Sequence, residues 1–155
     1  MDAFETVITK FCEDAGLARP PIKDGSVDFV VDGLCVSVQY RPDRDDCVMF
    51  TLPIYDTEPE PCLMRRALEL GVNGAETGGH FLGIKEDMFV LSSVVKLDGL
   101  SAEGFAERLV SLANATRRVA DSLSAAVAEE VAEHAEREDA RADAEGTSAA
   151  FAIRV

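Results

Sequence analysis

Apolar residues return at helical spacing at Phe4, Val7, Ile8, Phe11 and Ala15, while Glu5, Thr9, Glu13 and Asp14 fall elsewhere. The spacing predicts an amphipathic helix over residues 2–16. Gly16 is placed to stop it, and Arg19-Pro20-Pro21 forces an extended exit. The period then changes to two. Ser26–Val31 and Leu34–Tyr40 read as strands joined by Asp32-Gly33, a two-residue hairpin signal. In the second of these, Leu34, Val36, Val38 and Tyr40 share one face and Cys35, Ser37 and Gln39 the other. After a charged turn at 42–46, Cys47–Ile54 repeats the alternation. Val48, Phe50, Leu52 and Ile54 point inward, and Cys47, Met49, Thr51 and Pro53 point outward. That outer face is less polar than a solvated sheet face usually is.

Thr57-Glu58-Pro59-Glu60-Pro61 has the acids and prolines of a helix start. The second helix is expected from Pro61 to Leu70, with Gly71 ending it. Its apolar residues, Leu63, Met64, Ala67, Leu68 and Leu70, cover more than one stripe. A short helix that is apolar on two sides packs against two things, here its own sheet and a second subunit. A glycine-rich loop follows to Gly79, without the Gly-Lys-Ser/Thr ending of a phosphate loop. Strands at 80–84 and 88–97 flank the turn Lys85-Glu86-Asp87. Asp98-Gly99 breaks the pattern, and Ser101 is placed to cap a helix running from Ala102 to about Ala140. Phe105, Leu109, Leu112, Val119, Leu123, Val127 and Val131 mark its apolar stripe. Beyond Ala128 only Val131 and alanines remain apolar, so this part is expected to project into solvent or fray. The order is α-β-β-β-α-β-β-α, an α+β fold with helices packed on a twisted antiparallel sheet. The expected division is a single domain over 1–132 and an acidic, partly disordered extension over 133–155, ending in the small apolar patch FAIRV.

Charge narrows the function. The 155 residues carry a formal charge of −14. Such a field repels phosphate backbones and anionic membranes, so neither nucleic-acid binding nor membrane insertion is expected. It keeps a protein soluble and attracts basic partners. The first residues carry acids and lack an apolar signal core, and no apolar run approaches a membrane span. The expected address is therefore the cytoplasm, with reduced thiols. Cys12, Cys35, Cys47 and Cys62 are scattered, with no CxxC pair, and read as small apolar residues.

Candidate chemistry is thin. His80 and His134 are the only histidines. Glu130, His134 and Glu138 stand at i, i+4 and i+8, which reads as a solvated charged face. No nucleophile elbow, zinc-protease or calcium-loop spacing is present. No catalytic residue, no metal site and no cofactor is expected. What the chain offers is surface.

The block HFLGIKEDMFVLSSVVKLDGLSAEGFAERLVSLA, with the element order and the acidic charge, resembles the class I type III secretion chaperones. These are small, acidic, dimeric cytoplasmic proteins of Gram-negative bacteria that hold secreted effectors before export. The likeness runs through about Leu123, and the extension from about Glu129 departs from it. It implies that the N-terminal segment of a secreted effector wraps the chaperone in extended form and stays export-competent. Partner-binding patches then fall at Val30, Cys35, Cys47 and Met49 on the sheet and Phe4 and Ile8 on the first helix. The family's dimer contact, through the second helix and a neighbouring strand, falls on Leu63, Ala67, Leu70, Val72 and Phe81. Two other readings are open at this stage: a binding or regulatory module of the same fold without a role in secretion, and a small enzyme or ligand-binding protein.

Overall fold

A computed structural model describes residues 2–55 and 60–150. The elements are α1 (Ala3–Ala15), β1 (Ser26–Val31), β2 (Leu34–Arg41), β3 (Cys47–Tyr55), α2 (Pro61–Asn73), β4 (Phe81–Lys85), β5 (Met88–Lys96) and α3 (Ala102–Ala150). The Thr57–Pro59 approach to α2 and the Phe151–Val155 patch lie outside the described residues. The fold is α+β, with one antiparallel sheet in the order β1-β2-β3-β5-β4.

Local chemistry sets the ends. Asp2 caps α1 by accepting from the Phe4 N–H at 3.4 Å. Gly16 closes the helix at φ 65°, where its N–H and that of Leu17 bond back to Glu13 and Cys12 carbonyls. That pairing is a Schellman closure, and it needs the left-handed residue. The turn between β1 and β2 places Asp32 and Gly33 at φ 49° and 81°, as a two-residue hairpin with the twist of its strands requires.

Two helix ends differ from expectation. α2 passes through Gly71 and stops at Asn73, because Gly74 is the residue that turns left-handed, at φ 64°, and returns its N–H to the Leu70 carbonyl. α3 runs beyond Ala140 and is helical to Ala150. Among its described side chains the last fully buried one is Leu123, and Val127 is partly covered.

Every strand sends alternate residues to one side. Val27, Phe29, Val36, Val38, Val48, Phe50, Leu52, Phe89 and Leu91 are buried there. α1 contributes Phe4, Ile8, Phe11 and Cys12 to the same layer, and α3 contributes Phe105, Leu109 and Leu112. Phe105 is central, with ring centroids 5.0 to 5.6 Å from Phe11, Phe29 and Phe50. α2 rests against this side too, its Leu63 and Leu70 meeting Phe89, Val119 and Leu123. All three helices therefore cover one face of the sheet.

Candidate functional site

Among the described residues no helix covers the opposite face, and the strand registers assemble its residues into rows. Val30 stands opposite Cys35, and Met49 opposite Val94. Pro53 stands opposite Val90, itself opposite Gly83. Between these apolar rows runs a more polar one, Asp28–Ser37–Thr51–Ser92, ending at Phe81 on the edge strand. Thr51 and Ser92 hydroxyls lie 3.5 Å apart. Val30 is 76% exposed, Phe81 66% and Val94 46%. Burying any of these against a partner gains apolar area that folding left in water. The face thus presents separate apolar patches divided by hydroxyls. β1 and β4 are its edges.

A second apolar strip lies on α2. Met64, Leu68 and Val72 are exposed and stand at i, i+4 and i+8, and Phe81 and Ile84 are exposed on β4 nearby. The other side of α2 is tied to its own chain. Arg66 donates to the Ser122 hydroxyl at 2.6 and 3.0 Å and pairs with Glu69 and Glu76.

His80 and Cys62 are two of the groups whose pKa values are shifted. His80 is buried, with Nε2 at 3.1 Å from the Ser111 hydroxyl. Burial, with a smaller push from Arg108, holds its pKa below the ordinary histidine value. A hydrogen bond to Glu130, together with burial, pushes the Cys62 thiol up and away from the reactive thiolate. Among the described residues no three His, Cys, Asp or Glu side chains converge to hold a metal ion. No helix among them is long and apolar enough to cross a membrane.

Residues 6–119 match the Tir chaperone protein (CesT) family. The chain belongs to that family. No curated protein sequence matches it. Its fold is shared with the HopA1–SchA chaperone–effector complex, at 16% identity and a TM-score of 0.60, covering 77% of this chain and 94% of that one. The ExsC–ExsE complex is similar at 16% identity and 0.62, covering 75% and 92%. So is the Yersinia pestis type III secretion chaperone SycH in complex with a stable fragment of YscM2, at 15% and 0.59, covering 75% and 98%. The family match ends at Val119, so most of α3 lies beyond it.

On this family member the residues singled out from sequence divide sharply. Val30 and Cys35 are exposed and Met49 is half-buried on the uncovered face; Val72 is exposed on α2 and Phe81 on the edge strand β4, in the outer-face row. Phe4 and Ile8 are corrected to core residues, at 1% and 0% exposure, because the stripe that makes α1 amphipathic turns inward onto the sheet. Cys47 is also buried, although its parity is outward. It stands between Arg41 and Lys96 across the strands, and a small thiol between two long side chains is shielded. Leu63 and Leu70 are corrected likewise, since both are 2% exposed and pack within the chain. Ala67 is half-buried against the same cluster. The exposed strip on α2 is Met64 and Leu68, about 130° around the helix from Leu63 and Leu70. Helical spacing alone could have separated the two sides. Val94 and Val90 were missed because a strand buried on one face and apolar on both carries no period-two signal.

Proposed function

We propose that this protein is a cytoplasmic type III secretion chaperone that binds the N-terminal segment of a secreted effector in extended form and keeps it soluble and competent for export. The carrying observation is a member of this family whose sheet leaves one face uncovered among the described residues, with Val30 and Val94 in water. An extended segment loses much chain entropy on binding, so it needs several anchors spread along its length. The Val30–Cys35, Met49–Val94 and Pro53–Val90 rows provide spaced anchors, and the hydroxyls between them suit a segment's polar backbone. The charge of −14 keeps the protein soluble while these patches stand open. The working form is a homodimer joined through Met64, Leu68, Val72 and Phe81, which folding leaves exposed. The task is holding, so neither catalysis nor a cofactor is required.

The test has two steps. The protein is purified from its native organism and what remains bound is identified. Its gene is then deleted and export of that partner is measured. A bound partner whose N-terminal segment suffices for capture, and whose export falls without the chaperone, supports the proposal. A partner that is never exported overturns it.

A further inference from the structure

We infer that the groove between α1 and the link from β5 to α3 is a second docking site, fitted to a segment whose apolar side chains are flanked by Lys or Arg. The inference takes its biological meaning from the proposed chaperone role, but it stands on different residues. Two shallow hollows lie along this side of α1 and share Thr6, Val7 and Leu100, so they form one groove. Its floor is apolar, made by half-buried Val7 and Leu100 with Tyr40 and Leu97 at one end. Its rim is acidic. Asp2, Asp46 and Asp98 border one hollow, and Asp14 and Glu103 the other, against a single base, Lys10.

These acids are largely unspent. Asp46 accepts from the Tyr40 hydroxyl at 2.8 Å, which fixes the ring at the groove's end and is the main reason its pKa is pushed up to about 12. Asp2 gives only one oxygen to its helix cap. Among the described residues, no salt bridge involves Asp2, Asp14, Asp98 or Glu103. An apolar floor inside an uncompensated acidic rim selects a cationic, apolar segment and repels an acidic one.

The groove is on the helix side of the sheet, opposite the Met49–Val94 patch. Both lie toward the end where β5 finishes at Lys96. An extended segment advances about 3.3 Å per residue, so a few residues carry it round that end. One partner segment can therefore occupy both, with its basic residues placed where it turns past the acids.

The test uses the full chain and fluorescein-labelled peptides of about ten residues that alternate Leu with Lys, Leu with Glu, or Ser with Lys. The protein carries Val30→Lys and Val94→Lys, whose charge repels the Lys-bearing peptides, so that the outer face does not compete. Binding is read by anisotropy and mapped by amide chemical shifts. The Leu–Lys peptide is expected to bind, with its largest shifts at Thr6, Val7 and 97–100, and the other two peptides to bind far more weakly. Asp2→Asn with Asp98→Asn should weaken it about 3- to 10-fold, the range for two exposed charge pairs. Asn still caps α1, so the fold is kept. Equal binding of either control peptide, shifts elsewhere, or an unchanged affinity in the double Asn variant would overturn the groove. The chaperone proposal would survive that result, because it depends on the outer face and on export. Conversely, a groove that binds Leu–Lys in a protein without an exported partner would overturn the chaperone role and leave the groove standing.

Discussion

The two faces of the sheet are made by the same strands, yet they follow different rules. On the covered face Val36, Val38, Val48, Phe50 and Leu91 are wholly buried, and each has a helix to explain it. On the uncovered face Val30 and Val94 are as apolar and remain in water, interleaved with Ser37, Thr51 and Ser92. Apolar side chains on the first face are accounted for by folding. Those on the second contribute little to it, which leaves them open for the proposed partner.

The sharpest way to expose the difference is to cut into the covered face. Phe50→Ala removes a ring that touches Phe105 at the centre of the core. It should destabilise the fold by about 3–5 kcal/mol in urea unfolding, the range for an aromatic replaced by Ala in a core. A loss under about 1 kcal/mol would mean that the two faces are not so different after all.

The same contrast is repeated on α2. Leu63→Ala should cost about 2–5 kcal/mol of stability, because Leu63 packs on Val119 and Leu123. Leu68→Glu, at a site 73% exposed, should change stability by less than about 0.5 kcal/mol while shifting sedimentation from dimer to monomer. A Leu68→Glu protein that still sediments as a dimer at micromolar concentration would remove this side of α2 from the interface.

Much of this was legible in the residues. Alternation at 34–40 and 47–54 separated the two faces, and Asp32-Gly33 announced the hairpin between β1 and β2. The end of α2 was less legible, because Gly71 and Gly74 are both plausible stops and only the hydrogen bond to Leu70 decides between them. The site was half legible. Val30, Cys35 and Met49 follow from parity, whereas Phe4, Ile8 and Cys47 were placed outside although the fold buries them. An amphipathic stripe shows that one side of a helix is covered, but it does not say by what. The groove along α1 joins residues 2–14 to 97–103, and that pairing exists only once α1 has docked beside α3.

A smaller effect should appear with pH. His80 packs against α3 at Ser111, with Arg108 and Arg118 of the same helix opposing its charge. Its folded pKa is below the ordinary 6.5, so the unfolded chain binds the proton more readily. The resulting stability is complete above about 6.5 and is lost as pH falls through the lower folded value. Unfolding of the wild type and His80→Gln, compared between about pH 7.5 and 5.5, should show a steeper loss in the wild type. Parallel curves would mean that His80 is not held in its neutral form.

The smallest effect belongs to the outer part of α3. From Glu133 to Glu138 every described side chain is exposed, and the Arg137–Glu133 pair at 2.8 Å is a surface one. Truncation after Ala132 should change stability by less than about 0.5 kcal/mol by thermal unfolding. A drop of many degrees would show that the removed residues pack on the domain.

The most direct test of the uncovered face is the affinity of the captured partner segment for the wild type and for Val30→Asp with Val94→Asp, measured by calorimetry beside a melting curve of each protein. Losing an aliphatic anchor costs about 1–3 kcal/mol, so the double variant should bind at least about tenfold more weakly at an unchanged melting temperature. Equal affinity in the two proteins would place the partner on another surface and contradict the account.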